Sequence, residues 1–168
     1  MSELTLAFVQ AALNAPVSTQ ADVATRIITD SREAKAGDVF VALVGEQFDG
    51  HDYVADVLAK GVAAVIVSRE VVAGDARQIM VADTLAALGQ IAQAWRLKWN
   101  PKIVALTGSN GKTTVKEMCA AILREAVGED AVLATAGNFN NEIGMPLTLL
   151  RLQAAHKVAV LEMGMNHF

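Results

Sequence analysis

The sequence predicts an α/β fold with a mainly parallel sheet, and three observations lead to this prediction. Short apolar runs rich in Val, Ile and Ala recur along the 168 residues, and amphipathic helical patterns separate them. Several of these runs are apolar on both faces, as the strands of a buried parallel sheet are. Alternation of strands with helices also supplies the crossover connections that parallel strands need.

Six apolar runs are predicted to be strands, and four helical patterns lie among them. The strands are expected over residues 39–44, 63–68, 78–81, 103–107, 131–135 and 158–163. The helices are expected near residues 4–13, 53–58, 85–99 and 115–123, where apolar side chains recur at helical spacing. In the last of these helices, the predicted apolar face consists of Val115, Met118, Cys119, Ile122 and Leu123.

A domain boundary is expected near the helix over residues 85–99. Asn100 should end this helix, because the residue before Pro101 is pushed out of the α region. We predict a small first domain over residues 1–83 and a second domain over residues 84–168. One continuous sheet is the alternative that the sequence leaves open.

Composition and charge argue against several classes of function. The net charge is −4 and no Lys or Arg cluster stands out, so no nucleic-acid partner is expected. No apolar run approaches the ~20 residues that span a bilayer, so no membrane partner is expected either. The start of the chain lacks the basic residues of a signal peptide, and the single cysteine, Cys119, fits a core position. We therefore expect a cytoplasmic protein, whose oligomeric state the sequence does not indicate.

The strongest chemical signal is the run T-G-S-N-G-K-T-T over residues 107–114. It follows a predicted strand and precedes a predicted helix, which is the context of a phosphate-binding loop (P-loop). Gly108 and Gly111 let backbone N–H groups approach phosphate oxygens, and the start of the helix adds free N–H donors. Lys112 is placed to reach the β- and γ-phosphates of ATP, and Thr113 is placed to ligate Mg²⁺.

The match to the P-loop is incomplete, because Leu106 stands where the usual motif has its first glycine. A glycine-containing turn with a surface lysine is the structural alternative. On the P-loop hypothesis Lys112 is the catalytic residue, and the residues that contact ATP are Gly108, Ser109, Asn110, Gly111, Lys112, Thr113 and Thr114.

Further polar residues follow the predicted strands. Glu162 ends a strand, and the C-terminal ends of parallel strands face the ligand crevice of open sheets. Its position fits an Mg²⁺ ligand, and a solvated carboxylate is the alternative. Asn138, Asn140 and Asn141 fit either a turn or a site for phosphate, ribose or sugar groups.

Two other sets of residues are ambiguous from the sequence alone. Ser31 and Arg32 fit either a polar turn or an anion site, since arginine offers two parallel donors to a phosphate. His51, His156 and His167 do not have metal-ligand spacing, and His51 is expected to cap the helix that follows it.

Several segments together resemble the Mur ligase family. The run over residues 107–114 is similar to the ATP site of that family, which includes folylpolyglutamate synthetases. T-D-S-R, G-D-V-F-V-A-L and G-E-Q-F-D-G-H-D-Y within residues 29–53 resemble its UDP-sugar-binding N-terminal domain. A-G-N-F-N-N-E-I-G-M-P at 136–146, with T-L-L-R-L at 148–152, resembles the branch whose amine substrate is D-alanyl-D-alanine. The resemblance covers nearly the whole chain.

The resemblance implies an ATP- and Mg²⁺-dependent amide ligase of peptidoglycan synthesis. Its implied substrates are UDP-N-acetylmuramoyl-tripeptide and D-alanyl-D-alanine, joined through an acyl phosphate. Asn138 and Asn141 are then expected at the ATP site, and Thr113 and Glu162 are expected to hold the metal. The uridine of the substrate is expected near Ser31, Arg32, Glu46, Gln47 and Phe48.

Family members have three domains and are far longer than this chain. The resemblance therefore implies an N-terminal fragment that ends within the central ATPase domain and is inactive as a ligase by itself. Two other classes stay open: a different P-loop enzyme, such as a folate-type glutamate ligase or a small kinase, and a non-catalytic nucleotide-binding module. Binding of a UDP-sugar would separate the muramyl ligases from the other enzymes.

Overall fold

A computed structural model describes residues 4–16 and 25–164 of the chain. The described strands form two separate sheets, one of four strands and one of three. Every pair of neighbouring strands is parallel, which confirms the α/β class and the mainly parallel pairing. Because the sheets are separate, the alternative of one continuous sheet is wrong.

The first compact unit, which ends at Ile91, is built on the four-stranded sheet. Its strands lie side by side in chain order: β1 (Ile27–Ile28), β2 (Val39–Val41), β3 (Ala64–Val67) and β4 (Gln78–Met80). Its helices are α1 (Leu6–Ala12) and α2 (Val54–Ala59), and short 3-10 helices cover Ser31–Glu33 and Gly50–Tyr53. Phe40 and Val65 pack with Val54 and Val57 of α2 in the core of this unit. Their apolar character is expected, since strands buried on both faces consist largely of apolar residues.

Helix α3 (Thr84–Trp99) confirms the predicted long helix, and the division into two units falls inside it. Asn100 follows the helix with a φ of 45°, the left-handed conformation in which many helices end. Within the two described ranges, no helix combines the length and the apolar composition needed to cross a membrane.

The second compact unit, from Ala92 onward, is built on the three-stranded sheet. Its strands are β5 (Lys102–Leu106), β6 (Val132–Ala134) and β7 (Val158–Glu162), with β7 in the centre. Helix α4 (Lys112–Val127) follows β5, and helix α5 (Gly144–Leu149) follows β6. All residues of β7 are buried, and its C-terminal end is the point from which the candidate site is built.

Two elements escaped prediction, for physical reasons. Strand β1 has only two residues, too few to show any periodicity. Helix α5 contains Gly144 and Pro146, residues that normally argue against a helix. Proline is tolerated there because it lies in the first turn, where its missing N–H has no partner within the helix.

The predicted apolar face of α4 is partly wrong. Val115, Met118 and Ile122 are 46%, 60% and 67% exposed, whereas Lys116 and Ala120 are buried. The small side chain of alanine brings the helix close to the sheet, and the long stem of lysine can be buried along apolar surface. The expectation for Cys119 is confirmed, since it packs against the core of this unit.

Candidate functional site

The predicted phosphate loop connects β5 to α4. Gly108 has a φ of 143° and Gly111 a φ of 75°, the left-handed region that favours glycine. Helix α4 begins at Lys112, within the run over residues 107–114, so its unpaired N–H groups lie at the end of the loop. Backbone donors and the positive end of a helix dipole together suit a phosphate.

The lysine of the loop contacts the loop itself. Lys112 is half-buried, and its Nζ donates a hydrogen bond to the carbonyl oxygen of Gly108. Ser109, Asn110 and Thr114 are exposed. The loop thus holds one cation close to its backbone donors.

Glu162 lies beside this loop and is buried, with 3% of its surface exposed. Leu106 and Glu162 are paired residues of β5 and β7, which places the carboxylate next to the start of the loop. One carboxylate oxygen accepts from the Thr113 hydroxyl at 3.0 Å, and the other accepts from Asn140 Nδ2 at 3.0 Å. The alternative of a solvated strand-end carboxylate is therefore wrong.

The structure distinguishes the three asparagines after β6. Asn140 reaches Glu162, whereas Asn138 is exposed. The side-chain oxygen of Asn141 accepts from the N–H groups of Ile143 (3.2 Å) and Gly144 (2.7 Å), so it closes the turn that leads into α5. Sequence reasoning favoured Asn138 and Asn141, and it missed that Asn140 contacts the carboxylate.

A close backbone crossing fixes the shape of this asparagine loop. A Cβ atom added to Gly144 would lie 2.4 Å from Phe139 Cα and 2.7 Å from its carbonyl carbon. The N–H of Gly164 also donates to the carbonyl of Asn140 at 2.7 Å. The position of Asn140 is therefore set by main-chain contacts on both sides.

The oxygen atoms around Glu162 fit a hard divalent cation. Thr113 and Glu162 offer a hydroxyl and a carboxylate, the ligand types that Mg²⁺ takes alongside phosphates and water. The donors that hold the carboxylate are neutral, so its charge is available to a cation. Among the described residues, no group of three or more His, Cys, Asp or Glu side chains could hold a metal ion. A metal here would need the oxygens of a bound ligand as well.

The first unit contains a cavity of about 400 Å³ where part of the substrate site was predicted. Phe48 and Tyr53 present half-exposed aromatic rings to it. Glu46 and Gln47, also predicted for this site, are exposed on the neighbouring loop and do not line the cavity. The residues that line it are Thr29, Asp30, Ser31, Arg32, Phe40, Phe48, Gly50 and Tyr53.

Arg32, one of the predicted anion-binding residues, is paired within its own turn. Its guanidinium donates to both carboxylate oxygens of Asp30, with the shortest contact, from Nη2, at 2.6 Å. The hydrogen bond from this side chain is the largest cause that lowers the pKa of Asp30 to about 2. The carbonyl of Ser31 accepts from Lys60 Nζ at 2.8 Å. The turn over residues 30–32, which lines the cavity, is therefore stabilised by the ion pair between Arg32 and Asp30.

His51 does not cap the following helix with its side chain, so this expectation is wrong. The cap is Asp49, which accepts from the N–H of His51. The buried imidazole lies 2.6 Å from Asp49 Oδ1 through Nδ1 and accepts from the N–H of Ser68 at 2.9 Å through Nε2.

The other two histidines lie elsewhere in the chain. His156 accepts a hydrogen bond from the N–H of Gln153, and burial lowers the pKa of its imidazole. His167 lies outside the described residues.

Sequence reasoning also missed two buried residues behind the phosphate loop. Lys116 donates from Nζ to the carbonyl of Thr135 at 2.8 Å, and the Thr135 hydroxyl accepts from the N–H of Glu162 at 3.0 Å. Lys116 stands four positions after Lys112 on the same helix. Two lysines four positions apart on a helix normally indicate a solvated face, so the burial of Lys116 is evident only from the structure.

Comparison with known proteins identifies the class to which this fold and loop belong. Residues 24–96 match the model described as Mur ligase family, catalytic domain, and residues 106–168 match the Mur ligase middle domain. These matches cover most of the chain, which therefore belongs to the Mur ligase family.

Two of the similar proteins have the same name. UDP-N-acetylmuramoyl-tripeptide–D-alanyl-D-alanine ligase of Haemophilus influenzae is 50% identical over 143 residues, which is 84% of this chain and 31% of that protein. The enzyme of the same name from Escherichia coli is 48% identical, with 84% and 30% covered. The chain thus spans just under a third of the length of these curated relatives.

Solved structures agree with this grouping. A crystal structure of MurF from Acinetobacter baumannii matches with a TM-score of 0.87 and 41% identity, over 99% of this chain and 37% of that chain. The MurF ligase from Thermotoga maritima, crystallised in complex with ADP, matches with a TM-score of 0.77 and 34% identity, over 85% of this chain and 33% of that chain.

Proposed function

We propose that this chain carries the ATP-phosphate site and the UDP-sugar site of a ligase that adds D-alanyl-D-alanine to UDP-N-acetylmuramoyl-tripeptide. The observation that carries this proposal is the phosphate loop with the buried carboxylate of Glu162 beside it. The names of the relatives and the ADP complex of a similar structure support it.

The second unit binds the phosphates of ATP in this proposal. Backbone N–H groups between Gly108 and Thr114 surround the phosphates, and Lys112 leaves the Gly108 carbonyl to contact them. Thr113 and Glu162 would hold Mg²⁺ through a hydroxyl and a carboxylate oxygen, and the metal would supply positive charge near the transferred phosphoryl group. Asn138 and Asn141 remain candidates for contacts to the nucleotide through their amide groups.

The first unit binds the UDP-sugar in this proposal. The cavity lined by Ser31, Phe48 and Tyr53 offers a hydroxyl and two aromatic rings, which suit a base and its ribose. Glu46 and Gln47 would contact the same ligand from the exposed loop, and Arg32 would do so from its pair with Asp30. The proposed functional domains keep the predicted bounds, residues 1–83 and 84–168.

The proposed reaction follows from the chemistry of a carboxylate, which is a poor electrophile. Transfer of the γ-phosphoryl group of ATP to the terminal carboxylate of the tripeptide gives an acyl phosphate and releases ADP. Attack by the amine of D-alanyl-D-alanine then forms the amide and releases phosphate. Lys112 supports the first step, because it lies at the loop where negative charge develops.

Calorimetric titration of the 168-residue chain with MgATP tests the phosphate site. The Lys112→Ala variant should bind MgATP at least tenfold more weakly, because a charged hydrogen bond contributes about 1.5–3 kcal/mol. Lys102→Ala, which removes an exposed lysine at the start of β5, serves as the matched control and should bind normally. Equal MgATP affinity in the wild type and the Lys112→Ala variant would refute the phosphate site.

Saturation-transfer NMR with UDP tests the other site. Ser31→Ala should weaken UDP binding several-fold, because a neutral hydrogen bond contributes about 0.5–1.5 kcal/mol. The same variant should bind MgATP as the wild type does, since Ser31 belongs to the other unit. Uridine contacts that map only to residues after Ile91 would exclude this assignment.

A further inference from the structure

Lys116 is a buried cation that the proposed reaction does not use directly. Only 1% of its surface is exposed, and it is buried on the same face of α4 as Ala120. Its Nζ donates to the carbonyl of Thr135 at 2.8 Å and pairs with Glu117 Oε1 at 2.9 Å. Burying an ammonium group is unfavourable unless hydrogen bonds and charges compensate it. An apolar side chain would pack here without that cost, so the ammonium group needs a further explanation.

Thr135, the partner of Lys116, connects helix α4 to the end of strand β7. Its carbonyl accepts from Lys116, and its hydroxyl accepts from the N–H of Glu162 at 3.0 Å. Its own N–H donates to the carbonyl of Val160 at 3.0 Å. Thr135 is 2% exposed, so these contacts are shielded from water and hold the two strand ends together.

These contacts close a ring. The Thr113 hydroxyl donates to the Glu162 carboxylate, the Glu162 N–H donates to Thr135, and Thr135 accepts from Lys116. Lys116 and Thr113 are three positions apart on the same helix, which completes the ring. A closed ring fixes the separation between the Thr113 hydroxyl and the Glu162 carboxylate more tightly than their single hydrogen bond does.

We propose that Lys116 is a positioning residue that holds Thr113 and Glu162 at the separation a divalent cation needs. It acts through Thr135 and touches neither the nucleotide nor the metal. This inference rests on the proposed function, because it concerns the Mg²⁺ site of the same loop.

The test compares ATP affinity with Mg²⁺ and with EDTA in the 168-residue chain. In Lys116→Met, which keeps the volume of the side chain, the gain in affinity due to Mg²⁺ should fall roughly three- to tenfold, the effect of one hydrogen bond. Affinity for metal-free ATP should not change, because the backbone donors of the loop remain. A loss of fold stability alone would lower both affinities together, and that result would overturn the inference.

Two further variants isolate the ring. On a Glu162→Gln background, which removes the proposed metal ligand, Lys116→Met should produce no additional loss of the Mg²⁺ effect. Glu117→Gln is the matched control, since it removes the exposed partner of Lys116 and leaves the bond to Thr135 intact. A normal Mg²⁺ effect in Glu117→Gln supports the inference, and a loss equal to that of Lys116→Met overturns it.

If Lys116→Met does not fold, Thr135→Val carries the same prediction. This variant keeps the carbonyl that Lys116 binds but removes the hydroxyl that accepts from Glu162. An undiminished Mg²⁺ effect in folded Thr135→Val overturns the inference. Failure of the proposed function gives a different result, because the wild type itself would then not bind ATP.

Discussion

The two candidate sites are built from different parts of the polypeptide. In the second unit, the phosphate loop presents backbone N–H groups, and its shape depends on the left-handed conformation of Gly111 and on the start of α4. In the first unit, a cavity of about 400 Å³ is lined by residues 29–32 together with Phe40, Phe48, Gly50 and Tyr53. The spacing of residues within one short segment specifies the phosphate loop. The cavity of the first unit, in contrast, exists only after folding brings distant segments together.

The charges at the two sites also differ in their partners. Asp30 at the cavity of the first unit binds Arg32. The nearby Asp49, which does not line the cavity, binds Arg69 and lies against His51. Glu162 of the second unit is held by a hydroxyl and an amide. Paired charges stabilise a local turn, whereas a buried carboxylate with neutral donors remains able to bind a cation. This contrast suggests shape recognition in the first unit and charge recognition in the second.

The largest effect is expected where the backbone itself builds the site. In Gly144→Ala, the new Cβ would lie 2.4 Å from Phe139 Cα, so the main chain of the asparagine loop must move. We expect a loss of up to about 3 kcal/mol in the free energy of unfolding, the upper end of ordinary overpacking. Urea unfolding followed by circular dichroism measures it, and MgATP affinity should fall while UDP affinity does not.

Gly89→Ala is the matched control for this change. Gly89 lies within α3, and a Cβ added there would meet no atom within 4 Å. The same substitution should therefore stabilise the protein by about 0.5–1 kcal/mol, as alanine does in a helix interior. If both substitutions change stability in the same direction, the crossing at Gly144 is not as tight as described.

An intermediate effect is expected where an aromatic ring builds the site. Phe48 is 56% exposed at the cavity of the first unit, so its removal should cost little stability. Phe48→Ala should weaken UDP binding by about tenfold, since base–aromatic stacking contributes about 1–3 kcal/mol. Phe139→Ala removes a similarly exposed ring from the second unit and should leave UDP affinity unchanged. Equal UDP affinity in Phe48→Ala and the wild type would remove the aromatic wall from the proposed site.

The smallest effect is expected for a paired charge. The N–H of His51 and the guanidinium of Arg69 lower the pKa of Asp49 to about 2, below the value of about 3.9 in an unfolded chain. Its stabilising contribution is therefore present above about pH 4 and is lost as the pH falls toward 2. Asp49→Asn should lower the free energy of unfolding at neutral pH by up to about 1 kcal/mol.

Urea unfolding at several pH values checks this prediction. The difference between the Asp49→Asn variant and the wild type should shrink as the pH falls from 4 toward 2, because the wild-type carboxylate then becomes protonated. A difference that stays constant over this range would mean that the charge of Asp49 has no part in the effect.

Most of the fold could be predicted from periodicity, and the failures have local causes. The strands β2 to β7 and the helices α1 to α4 all lie within the predicted runs or overlap them. The run over residues 39–44 is strand only to Val41, and Val44 beyond it is 61% exposed. Apolar composition indicates burial of a segment but does not show where the chain leaves the sheet, which depends on tertiary contacts.

The candidate site could be predicted only where sequence neighbours build it. The loop over residues 107–114 forms between a strand and a helix as expected, and Glu162 lies at its side. Asn140, Thr135 and Lys116 were missed, because their roles depend on contacts between β6, β7 and α4. The spacing of the asparagines does not show which of them turns toward the carboxylate.

The carbonyl of Gly108 accepts a hydrogen bond from Lys112, so it competes with any bound phosphate for the ammonium group of that lysine. A phosphate can recruit the ammonium group only by displacing an acceptor that is covalently attached and always present. Weak or singly charged anions gain little from that exchange, whereas the terminal phosphates of a nucleotide also engage the backbone donors of the loop. If the loop binds phosphates as proposed, this competition should lower its affinity for simple anions more than its affinity for a nucleotide.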